Sequence, residues 1–172
     1  GGKAIIGLEN LTSQGVDKPN FNSILKEFGI NVQSGVVAEN NTSYYSTQYG
    51  PWFAFADGIT GYASGLSSYV FAPYTSGLKH SDDSITYTAL ASTSSDSVLK
   101  TNASKATTYK KESGDVDGPF DIVVSVEKTV TTTKTNDDSN KSSDTSNSSE
   151  ENSDSTDETT TNTASLLVFG SV

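Results

Sequence analysis

The chain has 172 residues, a formal net charge of −10, no cysteine and no arginine. That length suits one domain with some residues to spare. The missing cysteines exclude disulfides, thiolate metal sites and thiol nucleophiles, and the acidic balance without arginine argues against nucleic acid as a partner.

Lys3–Leu8, "KAIIGL", reads as a short apolar strand. Phe21, Ile24, Leu25 and Phe28 then fall at i, i+3, i+4 and i+7, the stripe of an amphipathic helix. Asn20 suits its N-cap, with Pro19 just outside, and Gly29 stands where a left-handed C-terminal residue is wanted. A strand over 34–39, "SGVVAE", would complete a parallel, right-handed strand–helix–strand unit.

Residues 40–67 are polar, then aromatic and Gly-rich, and predict a long excursion with only short elements. Strands are expected at 68–73, ended by Pro73, and at 84–94, where Ile85, Tyr87, Ala89 and Ala91 alternate. A turn is expected near 94–102, followed by a polar loop over 103–118. "FDIVVSVEK" (120–128) is a strand with a continuous apolar centre, and "ASLLVFGS" near the end is another.

Between these two strands lies the tract 129–163, whose one apolar side chain is Val130 and whose eight acids and two lysines carry about −6 of the net charge. Such a composition cannot offset its ordering entropy by burial, so it reads as a flexible, acidic, Ser/Thr-rich insertion. The domain proper is then 1–128 plus 164–172, with the strands flanking the insertion as sheet neighbours. Strands that are apolar on both faces call for helices on both sides of the sheet. One helix is visible, which suggests a fragment of a larger protein, cut through its connections, with Gly1 a possible tag remnant.

The ordered succession of "GGKAIIGL", "NFNSILKEFGINVQSGVVAEN", "ITGYASGLSSYVFAPYTSGL", "ITYTALASTSSDSVLKTN", "GPFDIVVSVEK" and "ASLLVFGSV" resembles the extracytoplasmic domain of GldG-type, gliding-motility-associated ABC transporter auxiliary proteins. The positions that carry it are Ile24, Leu25, Phe28-Gly29-Ile30, Gly35-Val36-Val37, Leu90–Ser95, Gly118-Pro119 and Ser165–Ser171. In that family the last strand often starts at an arginine and ends in an acidic turn, where this chain has Ser165 and Ser171-Val172. The resemblance implies an α/β domain, flavodoxin-like or class I glutamine-amidotransferase-like, with a mostly parallel sheet and few helices in this fragment. It also implies a non-catalytic accessory role on the extracytoplasmic face of a bacterial membrane. The parent protein would be anchored by transmembrane helices outside this fragment and would work with an ABC permease and ATPase. No catalytic residue, metal ligand or cofactor is carried over.

The residues themselves add little chemistry. His80 sits beside Ser81, Asp82 and Asp83, but adjacency in sequence is not the convergence of a triad, and no Gly-x-Ser-x-Gly elbow accompanies it. One imidazole with two neighbouring carboxylates is also a poor metal site, so a solvated turn is the plainer reading. The alternatives to an accessory role are a hydrolase using carboxylates such as Asp57 and Asp82, or a sugar-binding module built on the aromatic tract. That tract holds Tyr44, Tyr45, Tyr49, Trp52, Phe53, Phe55, Tyr62, Tyr69, Phe71 and Tyr74. Its plain reading puts Phe53, Phe55 and Phe71 in the core with the tyrosines over loop edges. Its functional reading makes Trp52, Tyr44, Tyr45 and Tyr49 a partner-binding surface.

Overall fold

A computed structural model describes residues 1–9, 19–56, 69–134 and 158–171. The central sheet contains β1 (Lys3–Gly7), β2 (Ile30–Val32), β6 (Leu78–His80), β7 (Thr86–Ser92), β10 (Asp121–Lys134) and β11 (Glu158–Phe169). β10 is its hub. It pairs antiparallel with β11 on one side, and on the other with β7 and, at Asp121, with β6. β1 lies along the outer edge of β11, and β2 along β6.

The expected flavodoxin-like or amidotransferase-like α/β fold is not the fold adopted. Strands dominate, the only α-helix among the described residues is α1 (Pro19–Glu27), and every pairing but β1–β11 is antiparallel. The strand–helix–strand unit does not form, because β2 turns to pair with β6. The next strand, β3 (Val36–Ala38), leaves for a separate sheet with β8 (Val98–Lys100) and β9 (Val116–Asp117). Gly35, at φ +134°, makes the turn between them.

The reason for the error is physical. β11 is indeed apolar on both faces: Leu166 and Val168 enter one core cluster, and Leu167 and Phe169 pack against another. On the first face α1 supplies the cover, with Leu25 fully buried beside Ile30, Val124 and Val126. On the second face the cover is a two-stranded ribbon, β4 (Phe53–Ala56) with β5 (Val70–Pro73), not a helix. A two-sided apolar strand looks the same in sequence under either cover.

Local signals explain α1 well. Pro19 occupies its first turn, where the missing N–H costs nothing, so the helix starts slightly earlier than an Asn20 cap implies. Gly29 takes φ +66° as expected, and the Phe28 and Gly29 amides donate to Leu25 and Lys26. Lys128 of β10 donates to the Glu27 carbonyl at 2.7 Å and carboxylate at 3.0 Å, a cation where the helix dipole favours one.

The strands of the β10–β11 hairpin run further than the sequence suggests. Their ladder continues from Lys128↔Ala164 to Lys134↔Glu158, through Thr129↔Thr163, Thr131↔Thr161 and Thr133↔Thr159. β7 pairs no further than Glu127 and β1 begins at Ser165, so among the described residues the strand pairing of this outer part is between β10 and β11 alone. The remainder of the acidic tract, 135–157, lies outside the described residues.

Two buried polar groups tie the loops to this frame. Glu39, fully buried at the end of β3, accepts from the amides of Asn41 (2.9 Å) and Ser94 (3.0 Å) and from the Ser94 hydroxyl (2.5 Å). Lys100, 1% exposed, donates to the Lys110 carbonyl at 2.9 Å and pairs with Glu112 at 2.6 Å and Asp115 at 2.5 Å. Burial alone would lower the lysine's pKa, but its two carboxylate partners raise it above the ordinary 10.5. Asp115 is pushed up by burial and more than compensated by Lys100 and the amides of Glu112 and Thr101, so it lies below 3.8. Glu112 is held below 4.5 chiefly by its bond to Lys100.

A depressed carboxylate contributes its stability in full above its ordinary value and loses it as the pH falls through the folded one. Stability is therefore expected to fall below about pH 4. The raised lysine contributes fully below 10.5 and loses its share as the pH climbs beyond that. Lys100→Met should cost about 2–3 kcal/mol at neutral pH, less than the ~3–5 kcal/mol of a deep interior pair because Glu112 is partly solvated. It should also flatten the acid limb. Urea melts across pH are the check, and a variant as stable as the parent would refute the assignment.

Candidate functional site

The β4–β5 ribbon is paired Phe53↔Pro73, Ala54↔Ala72, Phe55↔Phe71 and Ala56↔Val70. Side chains alternate across a strand, so the two faces of the ribbon differ completely. Ala54, Ala56 and Ala72 are buried toward the sheet. Phe53 and Phe55 are half-buried on the other face, and Phe71 is 51% exposed. The expectation that these three phenylalanines fill the core is thus not met; the alanines do that work, with Val70 packed beside them.

The segment 44–46 runs along the outer edge of β4. The Phe55 amide donates to the Tyr44 carbonyl at 2.7 Å, the Ser46 amide to Phe53 at 3.0 Å, and Tyr45 bridges to Ala54. A tight turn follows, in which the amides of Tyr49 and Gly50 both donate to the Ser46 carbonyl and Gly50 takes φ +89°. This brings Tyr49 over Phe53, with 5.2 Å between ring centres.

The rings form one connected surface. Phe71 packs on Phe53 (6.1 Å) and Phe55 (5.7 Å). Tyr69 joins Phe55 at 6.0 Å and carries Tyr44 edge-on at 5.9 Å. Tyr74 meets Phe53 at 5.2 Å and stacks on Trp52 at 6.3 Å. Tyr109 closes the far end, edge-on to Trp52 at 5.4 Å.

Of the residues singled out from sequence, Trp52, Tyr44 and Tyr49 lie on this surface, whereas Tyr45 is half-buried at the ribbon edge. Tyr62 and Asp57 lie outside the described residues. Trp52 is half-buried, not enclosed by Phe53, Phe55 and Phe71. Tyr109 escaped notice because its loop is polar. It is delivered by the Lys100 cluster, which holds the next residue's carbonyl, and by Asn40, whose amide donates to the Tyr109 carbonyl at 3.0 Å.

Tyr74 sits in the left-handed region, at φ +49°, with its amide donating to the Trp52 carbonyl at 2.7 Å. A bulky L-residue there costs about 1–2 kcal/mol. Its ring contacts, stacked on Trp52 and edge-on to Phe53, offset part of that cost.

The histidine region is arranged differently from the solvated turn expected. His80 is on β6, with its ring stacked on Tyr87 at 4.7 Å, its Nε2 buried without a hydrogen-bond partner among the described residues, and its Nδ1 3.9 Å from Asp83. Ser81 is held by a backbone bond to Gly29, and Asp82 accepts from the Ser84 amide and hydroxyl, which lowers its pKa. Tyr87, whose pKa is driven far up by burial and by Asp121, donates to that carboxylate at 2.9 Å. Among the described residues no three His, Asp or Glu side chains converge as a metal-binding group.

Comparison with protein-family models, with curated proteins and with solved structures finds no match.

Tyr74→Gly should test how the face is held. Glycine relieves the left-handed backbone but loses ring contacts worth ~0.5–1.5 kcal/mol each. The unfolding free energy should stay within about 1 kcal/mol of the parent, while Trp52 emission shifts to the red. A loss above ~3 kcal/mol would mean that Tyr74 belongs to the core.

Proposed function

We propose that this chain is a non-catalytic docking domain whose working surface is the outward face of the β4–β5 ribbon. In this reading it is the extracytoplasmic accessory domain of a membrane-anchored ABC transport component, and its face engages the permease of that system. The observation that carries the docking role is the inversion of the ribbon: alanines inward, and a connected sheet of Phe, Tyr and Trp rings outward. A surface ribbon ordinarily buries its large apolar residues and shows its small or polar ones. Contiguous exposed aromatic surface marks a site of association.

The transport context is supported by the ordered sequence motifs alone; the α/β fold that the resemblance implies is not the one adopted. The polar geometry elsewhere favours no reaction. Asp82 is engaged with Ser84 in its own turn, and the His80 imidazole faces Tyr87 and Asp83, with no hydroxyl bonded to it among the described residues. Aromatic anchors, in contrast, are the side chains on which binding energy concentrates.

The test is association with the parent permease in detergent-extracted membranes. Trp52→Ala and Phe71→Ser should each weaken capture by about tenfold or more, equivalent to ~1.4 kcal/mol per decade. Lys134→Ala, on the outer β10–β11 ladder, should leave capture unchanged. Full capture by folded Trp52 and Phe71 variants would remove the ribbon from the interface.

A further inference from the structure

The composition of the aromatic face points to one kind of occupant. We propose that it seats on the interfacial layer of a lipid bilayer, with zwitterionic phosphatidylcholine-type headgroups as sufficient partners. This rests on the preceding reading only in taking the face as a working surface. It adds the bilayer around the permease as a second surface that the same rings enter.

The first support is the layering of the rings. Phe71 touches Phe53 and Phe55, and the remaining rings attach outside these three: Tyr49 and Tyr74 on Phe53, Tyr69 on Phe55, Tyr44 on Tyr69, and Trp52 on Tyr74. Fully apolar rings thus occupy the middle, and rings with a polar tip surround them. Phe suits the upper acyl chains, whereas Tyr and Trp place an apolar body inward and a hydroxyl or indole N–H at headgroup level.

The second is charge. Between Glu39 and Lys79 the chain carries one charged residue, Asp57, in a molecule of net charge −10. Protein interfaces gain register and partner choice from charged groups at the rim, and arginine is prominent among their anchors. No arginine is available here, and the segment that forms the ribbon supplies no charged rim group among its described residues. A bilayer interface needs no register and favours an uncharged patch.

The third is a border of the face that does carry charge. Tyr109 arrives in a stretch with exposed Lys105 and Lys110, whose long stems allow the ammonium to reach headgroup phosphates while the rings lie deeper. The left-handed backbone at Tyr74 adds a fourth point. A disfavoured conformation is maintained where the ring is 47% exposed, between Phe53 and Trp52 on the surface in question.

Trp52 is the only tryptophan in the chain, so the full-length protein carries its own probe. Phosphatidylcholine vesicles should shift Trp52 emission to the blue, and phosphatidylcholine brominated on the acyl chain should quench it. A Phe71→Ser/Tyr69→Ser double variant, folded by circular dichroism, should partition at least tenfold more weakly. Emission that does not move at vesicle excess overturns the proposal. If that happens while permease capture still depends on Phe71, the lipid assignment fails and the docking reading stands. If both fail, the face has neither role.

Discussion

The architecture follows from one constraint: the two long central strands are apolar on both faces and must be covered twice. β10 contributes Val124 and Val126 to one cluster and Ile122 and Val123 to the other, with irregular pairing to β7 where the phase changes. β11 divides Leu166 and Val168 from Leu167 and Phe169 in the same way. Each buried side chain of this size is worth roughly 1.5–3 kcal/mol, so leaving either face open is not an option for a marginally stable domain. The helix meets the first demand. The ribbon meets the second, and its small inner residues let its backbone lie close against the sheet. Once alanines are fixed inward, the period of two sends the alternating aromatics outward. The candidate site is a by-product of that covering geometry and is held as firmly as the core beneath it.

Loop placement depends on two buried polar side chains. Glu39 fastens the start of the aromatic excursion to the turn after β7, and Lys100 fastens the loop that carries Tyr109. Neither is a source of large net stability, since desolvation offsets much of the attraction. Their value is positional. Each replaces a loop that could take many paths by one with satisfied partners, and together they bring Tyr109 and Trp52 into contact from segments more than fifty residues apart.

Much of the local structure was legible in the residues. The helix stripe from Phe21 to Phe28, the left-handed Gly29 and the pairing of the strands on either side of the acidic tract all follow from periodicity and turn chemistry. The global fold was not, because a two-sided apolar strand does not say whether a helix or a ribbon covers it. Short strands were lost for a related reason. β6 and β8, three residues each, offer too few positions for a period to show, and "SVLK" reads as part of a turn until Leu99 is seen packed with Val37 and Phe120. The aromatic tract was visible as a concentration of rings, but its facing was not. Ala54, Ala56 and Ala72 hold that information, and they look like filler beside Phe and Tyr. Tyr109 became part of the face only through the long-range bonds of Lys100 and Asn40, which leave no trace in a local pattern.

The outer rungs of the β10–β11 ladder settle how the chain accommodates the segment between Lys134 and Glu158. Past the last contact with β7 and β1, the two strands continue side by side for about 20 Å at the usual rise per residue. The ends of that segment are therefore brought together by threonine pairs and backbone bonds of the two strands. Lengthening or rewriting it changes the closure entropy only logarithmically. The hairpin is a natural insertion port: a guest peptide or small domain spliced there would be presented at a distance from the hydrophobic layers, with entry and exit already in register.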